Sequence, residues 1–416
     1  MIKFFYGSVI ILLIVQKFGG SSLANDKLIF NAAQKIINAY NNKNKVVVIL
    51  SASGNMTDDL INHASKINFN YSKRELDMFL STGETQSVAL MAMALHKLGY
   101  PAVSLNCMQA GIFATNNYNN ARIEKVEPER ILNELDKNNI VIITGFQAIN
   151  SYNDIVTLGR GGSDTSAVAI AVALNADVCE IYTDVDGIYT ADPRIIPSAK
   201  KISQINYDQM LELSSLGAVV LHNRSVELAK KYNIKLVVRS SLNDNEGTLI
   251  GDVKKVEKTL VNGIAVDKNV AVISIVGLED EPGMVFKLFS LLSRNKISVD
   301  LIIQSIGRQN TKDISFTLAR EFLDETLNIL ERNNDFLRYD HLMSDETVAK
   351  LSIVGSGIAS NPKIAMMMFE AIYNEGINIK MISTSEIKIS ILVNEDEVQR
   401  AAEAVHKNFI DIQNSK

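Results

Sequence analysis

Two stretches in the last third of this 416-residue chain repeat each other, and that repeat limits what the C-terminal third can fold into. Ala271 to Gly277 (AVISIVG) recurs as Ala349 to Gly355 (AKLSIVG), 78 positions later, and Ile297 to Ser305 (ISVDLIIQS) recurs as Ile377 to Ser385 (INIKMISTS), 80 positions later. Each copy reads as strand, helix (Met284 to Asn295; Pro362 to Asn374), strand, strand (Ile314 to Leu318; Ile387 to Val393) and helix. That order matches the first five elements of a βαββαβ ferredoxin-like unit. We expect one unit over 266–335 and a second over 345–416.

Upstream the pattern changes. Apolar, β-rich runs at Lys45 to Leu50, Ala102 to Leu105, Ile140 to Thr144, Cys179 to Thr183 and Ile234 to Val238 alternate with helical patterns at Lys27 to Tyr40, Glu84 to Leu98, Asp164 to Asn175 and Val226 to Tyr232. Alternation of this kind gives an α/β domain with a mostly parallel central sheet. The charged stretch from Gly251 to Lys258 marks its end, so the domain spans 1–255. At the start, Lys3 and the apolar run Val9 to Val15 imitate a signal peptide. The run is too short to cross a bilayer and leads into a glycine-rich loop, so we expect a buried first strand over 9–17, a short extension before it, and a cytoplasmic protein.

Forty-two basic against 47 acidic residues leave a formal charge of -5, which argues against a nucleic-acid-coating surface and requires any anionic ligand to be bound by a local site. Cys107 and Cys179 sit among apolar residues without metal-binding spacing and are expected as buried thiols.

Five loops carry groups suited to chemistry. Lys17-Phe18-Gly19-Gly20-Ser21-Ser22 joins a strand to a helix, and its glycines and lysine suit phosphate as well as they suit a tight turn. Ser51 to Asp59 (SASGNMTDD) follows the next strand, where open α/β sheets bind ligands, although its hydroxyls also suit helix capping. Ser81-Thr82-Gly83-Glu84 matches a capping box at a helix start, or offers Glu84 to a ligand ammonium. Leu158 to Asp164 (LGRGGSD) sets three glycines around Arg160, whose fork matches a carboxylate or phosphate. Tyr182 to Arg194 (YTDVDGIYTADPR) presents Thr183, Asp184, Tyr189 and Arg194 between two turn signals.

Taken in order, KFGGSS, LSASGNMTDDL, STGE, QAGI, TLGRGGSD, YTDVDGIYTADPR and VRSS resemble the aspartate kinase family of the amino acid kinase fold, in its short monofunctional bacterial form. The paired C-terminal units resemble ACT domains, which bind amino acids. The resemblance runs from about Ile14 to the end. It implies Mg-ATP-dependent phosphorylation of the side-chain carboxylate of L-aspartate, at the entry to lysine, threonine and methionine synthesis. It makes Lys17, Phe18, Gly19, Gly20, Thr183, Asp184, Tyr189 and Arg194 ATP-binding, and Ser51, Thr57, Glu84, Arg160 and Ser163 aspartate-binding, with Lys17 and Arg160 catalytic. Magnesium is implied as a passenger on the nucleotide, because no carboxylate cluster in the sequence marks a dedicated cage. Asp280, Gly283, Gln304, Asn378, Ile379, Ser385 and Glu386 become effector contacts for lysine, threonine or both, although ordinary turns and sheet edges use such residues too. Pairing of ACT units between chains implies a homodimer or larger assembly, with no nucleic acid or membrane partner.

Three positions depart from the family pattern: Asn223 where Pro is common after Leu-His, Val219 where some relatives have an ATP-binding Lys, and Tyr118 where His is common after QAGI. Rival readings are another amino acid kinase, such as one acting on glutamate or acetylglutamate, and an amino-acid sensor that has lost its activity.

Overall fold

The structure is a computed structural model and describes residues 11–216, 220–252, 261–305, 307, 310–358 and 360–411. Val219 and the residues before 11 lie outside that set. The chain divides into two compact units, the first holding 1–189, 201–215 and 219–256, the second 190–200, 216–218 and 257–416.

The first unit is built on an eight-stranded sheet. Its strands are β1 (Leu13–Phe18), β2 (Lys45–Leu50), β3 (Ala102–Leu105), β4 (Ile140–Thr144), β5 (Val178–Thr183), β6 (Gln204–Ile205), β7 (Leu236–Ser240) and β8 (Thr248–Ile250), in spatial order β6-β8-β7-β5-β1-β2-β4-β3. The six strands from β7 to β3 run parallel, and β8 is antiparallel to β7. The β2 and β4 runs are buried along almost their whole length, as expected of strands covered on both faces. On one face, α1 (Asp26–Asn41) and the 25-residue α3 (Lys73–Lys97) pack Ala33, Ile36, Val88, Met91 and Leu95 against Val46, Val48, Ile140 and Ile142. A further helix, α2 (Met56–Ile67), follows β2, while α4 (Gly162–Ala173) packs on β1, β2 and β5, and α5 (Asn223–Tyr232) packs on α4.

Two sequence readings change here. The first strand begins at Leu13 rather than residue 9. Ser81 to Glu84 do not open a helix but lie inside α3, which begins at Lys73. Gly83 explains why a glycine is kept mid-helix: a Cβ there would stand 2.8 Å from the Ala52 Cβ, so only glycine lets α3 lie against the loop after β2. Cys107 and Cys179 are buried free thiols, both with pKa values pushed up by burial.

The second unit holds two four-stranded sheets. One contains β10 (Ala271–Glu279), β11 (Ile302–Gln304), β12 (Thr311–Leu318) and β13 (His341–Asp345) in the order β11-β12-β10-β13, with helices α6 (Met284–Arg294) and α7 (Leu323–Arg332). The other contains β14 (Val348–Val354), β15 (Met381–Thr384) and β16 (Lys388–Asn394), with helices α8 (Pro362–Asn374) and α9 (Val398–His406). Its fourth place is taken by β9 (Gly263–Asp267), which precedes the first copy and pairs antiparallel with β14, giving the order β9-β14-β16-β15. The first ferredoxin-like unit is therefore inserted between the last-placed strand of the second and the rest of it. The boundaries 266–335 and 345–416 give way accordingly: 341–345 complete the first sheet and 263–267 complete the second. Lys350 of β14, almost fully buried, is ion-paired with Asp267 of β9 and with Asp300 of the first copy, tying the insertion in place.

The same second unit takes in residues 190–200, which the sequence assigned to the catalytic domain. Ala191 and Ile196 join the core formed by Leu351, Ile353, Met368 and Val405, and Thr190 Oγ1 lies 3.0 Å from Nε2 of the buried His406. The strands flanking this segment, Ile188–Tyr189 and Lys201–Ile202, pair with each other in the first unit.

Candidate active site

Loops at the carboxyl ends of β1, β2 and β4, one turn of α3 and the loop before α4 surround a cleft of about 500 Å³ in the first unit. Gly20, Ser51, Thr57, Glu84, Arg160 and Ser163 all line it, although they come from positions spread over more than 140 residues of sequence. This is where a parallel sheet offers a ligand site, because the loops leave the strand ends together.

Close backbone contact shapes the cleft. A Cβ on Gly20 would come within 2.7 Å of the Ala52 carbonyl oxygen, and the Gly54 N–H donates to the Gly20 carbonyl at 2.9 Å, so the loops after β1 and β2 lie directly on one another. Phe18 stacks on Tyr182 beneath them, with ring centroids 4.6 Å apart. Ser22 Oγ donates to Ser241 Oγ at 2.8 Å, which gives the VRSS motif a role in holding the first loop. Lys17 reaches across the sheet to Asp164 at the start of α4, 2.7 Å away, and both side chains are nearly buried. Gly161 is left-handed (φ 67°) at the cap of α4, and a Cβ there would overlap the His222 ring, so the turn after Arg160 accepts only glycine.

Glu84 is 2 % exposed. One carboxylate oxygen accepts the Ala52 N–H at 3.1 Å and the other faces Gln147 Nε2 at 3.4 Å. Burial outweighs these bonds and pushes its pKa up to about 7. Among the described residues no cation pairs with it, and a buried carboxyl in that state is poised to ionise when an ammonium enters. Arg160 is exposed and makes no ion pair or hydrogen bond among the described residues, so its fork remains free for an anion.

The nucleotide candidates are less closely gathered. Thr183 Oγ1 donates to Asp184 at 3.0 Å at the end of β5, and the Tyr189 hydroxyl donates to Asp186 at 2.7 Å. Asp186 is also held by Lys201, 3.5 Å away, and by Asn245, so Tyr189 is fixed by a turn residue that the sequence offered only as a turn signal. Arg194 belongs to the second unit, where its guanidinium grips Asp192. Asp280, Gly283 and Gln304 lie on exposed turns and strand ends of the first ferredoxin-like unit; Asn378, Ile379, Ser385 and Glu386 flank β15 in the second. Among the departures, Asn223 occupies the first position of α5, where Pro is equally at home, and donates to Ser215 at 2.8 Å. Tyr118 donates to Asp154 at 2.9 Å.

Sequence reasoning missed Asp164 as the partner of Lys17 and Asn119, Phe146 and Thr157 as cleft walls. Asp164 stands inside a motif already singled out, but its pairing across the sheet has no local signal.

Comparison with known proteins places these observations. The Amino acid kinase family matches residues 13–240 and an ACT domain matches 351–409. An aspartokinase of Bacillus sp. (strain MGA3) is 46% identical over 398 residues, covering 95% of this chain and 97% of the relative. An aspartokinase of Helicobacter pylori (strain ATCC 700392 / 26695) is 46% identical over 401 residues, covering 95% and 98%. In fold, the chain is similar to E. coli aspartokinase III solved with aspartate and ADP, at a TM-score of 0.78 and 24% identity over 95% of this chain and 99% of that one. The same E. coli protein solved with lysine and aspartate gives 0.76 and 24%, over 96% and 99%.

Proposed function

The chain belongs to the aspartokinase family, and from that premise we propose that the cleft in its first unit binds L-aspartate beside an ATP phosphate site on the Lys17 to Gly20 loop. The observation that carries this reading is the convergence of Ser51, Thr57, Glu84, Arg160 and Ser163 on one cleft whose edge is formed by Gly20. A substrate with one ammonium and two carboxylates needs one anionic and at least one cationic partner. Glu84 supplies the first and Arg160 the second.

The attacking group is a carboxylate with a reference pKa of about 3.9, ionised at neutral pH and needing no general base. Catalysis then rests on bringing two anions together in line and offsetting their repulsion. Lys17 is suited to this because Asp164 holds its ammonium at the end of β1, beside the backbone N–H groups of the glycine loop. Magnesium, which the family reading implies as a passenger on the nucleotide, would be held mainly by its phosphates and water. When bound it neutralises phosphate charge. Thr183, Asp184 and Tyr189 serve the nucleotide.

In this reading the ferredoxin-like units bind an amino acid effector through Asp280, Gly283, Gln304, Asn378, Ile379, Ser385 and Glu386, and lysine is the first candidate because an aspartokinase has been solved with it. An effector acts by binding two states unequally. In this reading the chain works in the cytoplasm as a homodimer or larger assembly; no described helix is long and apolar enough to cross a membrane.

The test is incubation with Mg-ATP and L-aspartate, trapping of the acyl phosphate with hydroxylamine, and repetition with glutamate, acetylglutamate, lysine and threonine. Aspartyl hydroxamate suppressed by lysine or threonine is the expected result. No product with aspartate overturns the assignment.

A further inference from the structure

We propose that Asp77 and Arg224 are positioning residues that clamp Thr157 and Leu158, which lead into Arg160, and so aim its guanidinium into the cleft; this rests on reading Arg160 as the aspartate carboxylate partner. Asp77 lies on α3 two turns before Glu84, on the same buried face, and is completely enclosed. Its carboxylate is used up by three donors: the Asn119 N–H at 2.9 Å, the Thr157 N–H at 3.0 Å and the Thr157 hydroxyl at 2.6 Å. All three belong to residues that line the cleft. Burying a carboxylate is costly, and an apolar side chain would fill the same space more cheaply if packing were all that was needed. What the carboxylate adds is direction, since it holds two chain segments by their backbone N–H groups.

Arg224 works from the other side. Its guanidinium donates to the Leu158 carbonyl at 2.6 Å and to the Ala121 carbonyl at 2.9 Å, while the Ala121 N–H donates to the Thr157 carbonyl at 2.9 Å. The Leu158 N–H donates to the Phe146 carbonyl at 2.8 Å. Every backbone polar group of Thr157 and Leu158 is thus committed. Beyond them come Gly159, left-handed at φ 76°, then Arg160, then Gly161 at the cap of α4. Among the described residues Arg160 has no partner to set its direction, so its aim depends on the held Thr157 and Leu158 before it and the α4 cap after it. The clamp touches neither reacting atom; it acts through Arg160.

The experiment measures hydroxamate formation by the full chain at varied aspartate and varied ATP. Asp77→Asn, which replaces one of the two accepting oxygens by an NH2 donor, and Arg224→Ala should each raise KM for aspartate about tenfold while leaving KM for ATP within about twofold. Arg224→Lys should recover part of the loss, since an ammonium still reaches one carbonyl. The decisive readout is coupling: in an Arg160→Ala background neither variant should raise KM further. Should Asp77→Asn fail to fold, Thr157→Val removes the shortest bond and carries the same test. Additive effects in the double variants, or an unchanged aspartate KM in the folded single variants, overturn the clamp. An unchanged KM in Arg160→Ala alone overturns the reading of Arg160 and the clamp with it, whereas a raised KM there combined with additivity overturns the clamp only.

Discussion

The two glycine-rich loops of the first unit each present one cation, and they hold it in opposite ways. Lys17 is caged: its ammonium is 2.7 Å from Asp164, its side chain is 12% exposed, and Gly20 of its loop is pressed against the Ala52 and Gly54 backbone. Arg160 is exposed and, among the described residues, unpaired, and its loop is anchored through Leu158 before it. A caged cation keeps one position through the reaction and suits charge that develops in the transition state. A free fork suits a ligand that must enter, be held and leave. In the proposed reading, the difference assigns turnover to Lys17 and affinity to Arg160.

The largest expected effect breaks the caged side. Lys17→Ala should lower turnover about a hundredfold or more, the scale of losing one preorganised charge partner. It also leaves Asp164 without its counter-charge, so the melting temperature should fall. Asp164→Asn in the same background should restore stability but not turnover. Near-normal turnover in Lys17→Ala would remove the contrast between the loops.

Next comes the free side. Arg160→Ala should raise KM for aspartate about tenfold to a hundredfold, the value of a charged hydrogen bond, with no loss of melting temperature because no internal contact is broken. A drop in turnover at unchanged KM would place Arg160 with Lys17 instead.

Glu84 sharpens the comparison through pH. With its pKa raised to about 7 from a reference of 4.5, it is increasingly protonated below pH 7, so KM for aspartate should climb as pH falls from 8 to 6. The sign for stability is the reverse. Between pH 4.5 and 7 the unfolded chain carries this carboxylate ionised while the folded chain holds it protonated, so stability is lost as pH rises through that window and stays lost above it. Glu84→Gln should therefore flatten the pH profile of KM and raise the melting temperature at pH 8 more than at pH 5. An equal change at both pH values would show that burial of the charge is not what raises the pKa.

The smallest effect concerns shape alone. Gly83→Ala puts a methyl 2.8 Å from the Ala52 Cβ, and moving α3 off the loop after β2 should cost about 1–3 kcal/mol in chemical denaturation. An unchanged or raised stability, as helix propensity alone predicts, would mean that the close approach is not tight.

Much of the site was legible because its chemistry is carried by loops with unusual local composition. Three glycines around Arg160 and two beside Lys17 announce backbone crowding, and the crowding is there: Ala52, Gly54 and His222 occupy the space a side chain would need. Ser81 to Glu84 were misread for an equally physical reason. A capping box and a glycine look the same locally whether a helix starts or merely passes close to a neighbour, and the neighbour is more than 25 residues away in sequence. Asp77 gave no signal at all, since an acidic residue in an amphipathic helix is normally solvated.

The sequence by itself determined the alternation of strand and helix, the parallel sheet, the doubled ferredoxin-like pattern and the choice of candidate groups that the cleft gathers, because these depend on periodicity and on residue chemistry. Only the tertiary structure decided which strand completes which sheet. β9 pairs with β14 across the whole first copy, and Ala191 and Ile196 leave the catalytic sequence for the core of the second copy. Such choices are settled by competition among distant partners for one edge or one apolar surface, and a short strand or an isolated pair of apolar residues does not encode the winner locally.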